Sequence, residues 1–337
     1  MPVRSDRRWR MARLVACAVA SCAIAIPAFA QTASQPIATG AWPQRPVRLV
    51  VAFAPGGPAD IVGRILAQSL QATLGQSVVV ENRAGAGGNI ATRYVAREPA
   101  DGYTLLVNTS SMAVNQTLFK EPGYDLLTDL SAIGLVAASP NILVVPMSEP
   151  SNTLREFFSR YTGRKLSYGS AGIGSTPHLT GDHVLRVLGG LDAVHVPYQG
   201  AAPALTAAMA AQVEVSSIAL PPAVAQIKAG KVKGLAVTSL KRLESLPDVP
   251  TVAEAGFPDF EDYTWVGLFA PAKLPADIVE RLNAGIDQMV RQTDMRDRLA
   301  AAGMEPLPGT PAQFTAYLGK EVAKWRDIIK QTGVTPQ

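Results

Sequence analysis

The stretch Val47-Arg48-Leu49-Val50-Val51-Ala52-Phe53-Ala54-Pro55-Gly56-Gly57-Pro58-Ala59-Asp60 is followed by apolar residues at Ile61, Val62, Ile65, Leu66 and Leu70. Its first eight residues form a largely apolar, β-branched run suited to a buried strand, and Pro-Gly-Gly ends that run. The spacing that follows is one face of a helix, which Gly75 closes. Strand, glycine turn and helix in immediate succession make the unit of a parallel sheet covered by helices. The pattern continues with a strand over Ser77 to Glu81, a glycine turn over Gly85 to Gly88, a helix over Asn89 to Arg97 and a strand over Thr104 to Val107.

It then restarts. Ser151 to Tyr161, His178 to Leu188 and Pro203 to Ala210 read as helices, alternating with strands at Lys165 to Tyr168, Ala193 to Val196 and Val213 to Ile218. Two sheets are expected, each with its own connections. Ile133 to Val145 and Trp265 to Phe269 are apolar and extended, and are predicted to cross between two lobes. Amphipathic helices over Ala276 to Val290, Asp294 to Ala302 and Pro311 to Ile329 are expected to pack back on the first lobe. The fold class is therefore α/β with two lobes and a cleft, lobe 1 being 42–143 plus 265–337 and lobe 2 being 144–264. In such sheets ligands bind beyond the carboxyl ends of the strands.

The 337 residues carry 31 Lys+Arg against 27 Asp+Glu, a formal charge of +4. That excess resides in the first thirty residues, where Arg4, Arg7, Arg8, Arg10 and Arg13 face only Asp6. An apolar run from Leu14 to Phe29 and the small-residue site Ala28-Phe29-Ala30 complete a secretory signal, with cleavage expected after Ala30. Its removal leaves 26 charges of each sign, so composition gives no support for nucleic-acid binding. Cys17 and Cys22 leave with it, which excludes disulfides and thiolate chemistry from the exported chain. Val19-Ala20-Ser21-Cys22 resembles a lipoprotein box, but the apolar Ala23 to Phe29 behind it argues against a lipid anchor. The product is expected to be exported.

Four turns are rich in small or hydroxyl residues: Phe53 to Asp60, Asn108 to Ser111, Gly169 to His178 and Pro197 to Pro203. Glycine admits close backbone approach, and a helix start presents unpaired N–H donors at a positive dipole end. Together they hold an anion without a cationic side chain. Two turns from each lobe favour a cleft over four unrelated caps. Gly85-Ala86-Gly87-Gly88 lacks the last small residue of the dinucleotide fingerprint, Ile90 standing there. His178, His183 and His195 have no metal spacing, and no cofactor is expected. His183 reads as a surface or satisfied helix residue and His195 as a strand residue between lobes. Asp60 reads as a helix cap rather than a catalytic acid, and Lys228, Lys231 and Lys233 as a solvated helix end.

Taken together, residues 51–60 (VAFAPGGPAD), 78–90 (VVVENRAGAGGNI), 101–106 (DGYTLL), 168–179 (YGSAGIGSTPHL), 195–205 (HVPYQGAAPAL) and 246–256 (LPDVPTVAEAG) resemble the Bug family. These are the periplasmic receptors of tripartite tricarboxylate transporters, and the resemblance covers about Trp42 to Trp325. It implies a periplasmic-binding-protein fold with two crossing strands that closes on a small carboxylate. It also implies recognition by backbone N–H groups, hydroxyls and bridging waters. Carried onto this chain, Phe53, Ala54, Pro55, Gly56 and Gly57, with Asp60, and Ser170, Ala171, Gly172 and Ser175 hold the carboxylate. Asn108, Thr109 and Ser110 and Tyr198, Gln199, Gly200 and Ala201 line the remainder, and His178 braces its loop. The partners implied are that ligand and the permease subunits, with no nucleic acid, and the chain is expected to be monomeric.

One departure stands out. Ser216-Ser217-Ile218-Ala219-Leu220-Pro221 carries Ile218 where many relatives have an aspartate. With Met112 near a cleft turn, it suggests a less polar or aromatic carboxylate. The functions in contention are a non-enzymatic transport receptor, a sensing protein that presents its ligand to a kinase, and a secreted enzyme using the same cleft. Against the enzyme stands the lack of a base and nucleophile at recognisable spacing.

Overall fold

The computed structural model describes residues 42–332. The export segment and both cysteines lie outside the described residues. β1 (Val47–Val51) leads through the glycine turn into α1 (Pro58–Leu74), closed by Gly75 at φ 69°. β2 (Val78–Asn82), α2 (Asn89–Ala96), β3 (Thr104–Thr109) and α3 (Ser111–Leu118) follow. Beyond the long strand β4 (Leu130–Pro146) come α4 (Leu154–Tyr161), β5 (Lys165–Ser170), α5 (Thr176–Gly181), β6 (Asp192–Pro197), α6 (Ala201–Met209), β7 (Val215–Ala219), α7 (Pro221–Lys228) and β8 (Val232–Val237). The chain returns through β9 (Tyr263–Pro271) and ends with α8 (Ala276–Arg291), α9 (Thr293–Ala301), β10 (Glu305–Pro306) and α10 (Pro311–Thr332).

The strand order differs from expectation in one respect. β1 lies parallel between β2 and β3, and β5 parallel between β6 and β7, but the two groups are joined in one order, β2-β1-β3-β9-β4-β7-β5-β6. β4 makes the join: up to Pro140 it pairs antiparallel with β9, and from Asn141 onward with β7 and β8. Its 17 residues, at about 3.3 Å each, are long enough to serve both groups. Hydrophobic cores lie on either side of the passage. One gathers residues from Trp42 to Ala138 and from Trp265 to Ile329, together with Leu179, and two others lie between Ile142 and Val252. α8 packs on α1, and α10 on α3, as the amphipathic patterns imply.

Other departures are local. The helix expected over His178 to Leu188 begins earlier, because Ser175 caps it, and after Gly181 it widens into a π-helical turn, Asp182–Leu188. The Tyr168 side chain sits against Gly181, with its hydroxyl 2.8 Å from Asp182 Oδ1. α3, α7 and β8 were not foreseen: α3 is rich in polar residues and α7 opens on two prolines. Lys233 is not part of a solvated helix end. It lies on β8 and donates to the Glu149 carbonyl, to Ser151 O at 3.0 Å and to Asn152 Oδ1 at 3.2 Å.

Trp265 on β9 anchors α10 to the crossing. Its indole Nε1 donates to Glu321 Oε2 at 2.9 Å, and its ring meets Phe314 edge-on at 5.8 Å. Trp265→Ala is expected to lower unfolding free energy by about 3–5 kcal/mol in a urea titration.

Candidate functional site

The four turns converge. A cavity of about 20 Å³ is lined by Phe53, Gly57, Pro58, Ala59 and Thr109 from one lobe, by Ala171, Ser175, Pro177, Ala201 and Ala219 from the other, and by Thr264 of β9. A second, wider cavity of about 200 Å³ lies outside it, between Gly85, Ala86 and Gly87 and the segments Ala171 to Ile173 and Pro197 to Gln199. Phe53 and Ala171 line both. The first turns of α1, α5 and α6 meet at the inner cavity, so three helix N-termini face one space, that of α1 partly offset by Asp60 in its own first turn. No Lys, Arg or His is among the described residues lining either cavity.

The lobes touch directly. Ala54 N–H donates to Gln199 O at 3.1 Å, and Ser110 Oγ lies 3.1 Å from Thr176 Oγ1. Glycines make this approach possible. Gly87 (φ 60°) and Gly174 (φ 82°) are left-handed, and a Cβ on either would overlap the opposite lobe, at the Ile173 carbonyl or the Asn115 amide. An inner cavity of this size holds about one water.

Several expected site residues are committed elsewhere. Asn108 is fully buried, bonding Thr92 Oγ1 at 2.8 Å and accepting from Thr109 N–H at 2.7 Å. Pro55 is exposed on the outer side of its turn, while Gly56 and Gly200 meet the opposite lobe at Ala202 and Ala54. Asp60 does not face the cavity: its carboxylate accepts from Gly56 N–H at 3.0 Å, Asn82 Nδ2 at 2.9 Å and Arg64. Burial pushes its pKa up, but these partners outweigh burial and hold it below the usual carboxylate range. Ile218 and Met112 are fully buried in the cores, so neither position supports the inference drawn from it about ligand polarity. Gly85 to Gly87, Ala219 and Thr264 line the cavities without having been named as site residues; the glycine turn was visible as a nucleotide-like motif and as part of the family pattern, but no ligand contact was assigned to it.

Behind the second-lobe loop lies an arrangement that spacing did not reveal. Ser170 Oγ is 2.6 Å from His195 Nε2, and the His195 ring stacks between Tyr168 and His178, at 4.9 and 4.1 Å. His195 is thus internal to the second lobe and not between lobes. His178 braces the loop, its ring Nδ1 accepting from Gly174 N–H at 3.4 Å and its Nε2 facing Asp182 at 3.5 Å. Burial, and then the neighbouring His178, bring the His195 pKa down to about 3, so it stays neutral at ordinary pH. Ser170 is fully buried and lines neither cavity, and this Ser–His pair holds the loop.

His183 is half-buried, with its ring edge-on to Phe260. Among the described residues no group of three potential metal ligands occurs, and no helix is long and apolar enough to cross a membrane.

Asp60 ties the Gly56 turn to α1, and because its pKa is depressed, its contribution is present above pH 4 and disappears as pH falls through the folded value. Asp60→Asn is expected to lower the melting temperature at pH 7, with the gap to the unsubstituted protein narrowing below pH 4.

Residues 62–334 match the TctC family, the tripartite tricarboxylate transporter family receptor. The protein BugT of Bordetella pertussis (strain Tohama I) is 32% identical over 302 residues, spanning 88% of this chain and 92% of its own. The solved periplasmic binding protein BugD superposes with a TM-score of 0.85 at 37% identity, covering 88% of this chain and all of that one. An R. palustris protein solved with adipate gives 0.84 at 35% identity, again over 88% of this chain and all of that one. With its two lobes, its glycine-lined cleft and these relatives, the chain belongs to the tripartite tricarboxylate transporter receptor family, as a Bug-type solute-binding protein.

Proposed function

We propose that this chain is a periplasmic receptor that traps a small carboxylate between its lobes and delivers it to a tripartite tricarboxylate-type permease. The observation that carries this reading is the convergence of three helix starts from both lobes on a cavity with no cationic side chain. An oxyanion there meets N–H dipoles in a desolvated setting, where each charge-assisted hydrogen bond is about twice as strong as a neutral one. Adipate in the R. palustris relative fits that chemistry. The remaining walls, Phe53, Pro58, Ala59, Ala171, Pro177 and Ala219, suit an apolar ligand body.

The lobes are assigned as residues 42–143 with 265–337 and residues 144–264, hinged where β4 and β9 pass between cores. Ligand that bridges both lobes draws an existing open–closed equilibrium toward closure. Residues 1–30 serve as the export signal, cleaved after Ala30 with no lipid anchor, and the receptor acts as a monomer without catalysis. The burial of Ser170 away from both cavities supports that last point.

A thermal-shift screen of small carboxylates tests the reading: a ligand at a hundredfold over its Kd stabilises by about 2.7 kcal/mol. A screen in which no carboxylate raises the melting temperature rejects it. Gly57 has φ −88°, which valine tolerates, and faces Ala201 across the cleft, with a Cβ 3.8 Å from Ala201 N. Gly57→Val is therefore expected to weaken binding of the best hit at least about tenfold, roughly 1.4 kcal/mol by titration calorimetry, without loss of fold.

A further inference from the structure

A line of polar side chains runs from the rear of the hinge to the cleft. Asp262, just ahead of β9, is buried, and its Oδ2 accepts from Asn141 Nδ2 at 2.9 Å and from the Thr180 hydroxyl of α5. Asn141 Oδ1 accepts from Thr264 Oγ1 at 2.8 Å. Thr264 Oγ1 is 2.7 Å from Thr176 Oγ1, which lies 3.1 Å from Ser110 Oγ. Asn141 and Thr264 belong to the two crossing strands, Thr176 opens α5 in the second lobe, and Ser110 follows β3 in the first. Every residue named is buried.

The chemistry of the end group gives this line a direction. An ionised carboxylate only accepts, so Asn141 turns its amide N–H toward Asp262 and leaves Oδ1 for Thr264. The single Thr264 proton then goes to Asn141, so its oxygen must accept from Thr176. By the same step Thr176 accepts from Ser110, across the cleft. Hydrogen bonds aligned head to tail polarise one another.

We propose that Ser110, Thr176, Thr264 and Asn141 form a polarised relay through which the ionised Asp262 carboxylate favours closure of the lobes, making Asp262 a positioning residue for the cleft. The proposal rests on the trap reading above. The link from Ser110 to Thr176 exists only when the lobes meet, so closure adds a donor at the far end and eases ionisation of Asp262. By reciprocity, ionisation favours closure.

The charged surroundings set where this operates. Facing Asp262 are Glu321 and Lys324 of α10, Asp182 and His183 of α5 and its continuation, and Asp259 and Glu261 of its own loop. Burial raises the Asp262 pKa to about 6, against the pull of the Thr180 hydrogen bond, the Lys324 charge and the Asn141 amide. Burial pushes the His183 pKa the other way, below the ordinary imidazole range. Because the folded pKa is raised, the stability owed to protonated Asp262 is complete below pH 4 and fades as pH rises through about 6. Closure changes in the opposite sense over the same interval, so acid steadies the fold while loosening the trap.

Carbon-13 NMR titration of the aspartate-labelled protein, without ligand, tests the relay; the Asp262 carboxyl is identified by its loss in Asp262→Asn. Thr264→Val, which keeps the shape but removes the hydroxyl, is expected to raise the Asp262 midpoint by about 0.5, the equivalent of one weakened hydrogen bond. Ser110→Ala, in the other lobe, is expected to raise it by less. A midpoint unmoved in both variants overturns the relay, and a midpoint moved by Thr264→Val alone confines it to the hinge and overturns the tie to closure. No carboxylate enters this measurement, so a failed ligand screen and a failed relay are separate results.

Discussion

The antiparallel pairing of β4 with β9 is the constraint on which the rest depends. β4 carries the sheet from one set of cores to the other, β9 pairs with its first part, and both are buried along almost their whole length. Ladder hydrogen bonds on a pair of buried strands resist bending, and the partner of β4 changes at Pro140 and Asn141, by Tyr263. In the proposed trap, this change of partner is where the lobes turn. In that trap the helix starts that face the cleft keep their positions within each lobe.

Neutrality of the cleft follows from how closely the lobes approach. With Gly87 against Ile173, Gly174 against Asn115 and Gly56 against Ala202, the facing loops leave no room for a long cationic side chain. Burying an unpaired cation there would also cost several kcal/mol. Main-chain dipoles carry no such cost because they are already part of the helices that build the lobes. The polar groups that do reach the seam, Ser110, Thr176 and Thr264, bond one another.

How much was legible in the sequence divides along a physical line. Strand-turn-helix units were readable because each is local: the apolar run to Val51, the turn at Gly56 and Gly57 and the αL cap at Gly75 all act within a few residues. The convergence of the turns could be inferred from the sidedness of parallel sheets. What could not be read was which side chains turn inward. Asn108 looks like a cleft residue but satisfies the buried Thr92, and Ile218 is placed by strand alternation beside Ser216 on the α6 side, while Ser217 meets Gly181 of α5. Ser170 and His195, 25 positions apart, meet only because β5 and β6 are neighbours in register.

The proposed recognition through main-chain atoms has a consequence for how such receptors diversify. A backbone N–H is the same in every residue but proline, so point mutation has little purchase on the end of the cleft proposed to grip the anion. Altered preference must come from the other walls, above all Ala219, Pro177 and Thr264, where side-chain volume decides the shape left between the lobes. A lineage of duplicated copies can therefore keep one grip and acquire many appetites, each by changing a few small residues on rigid elements.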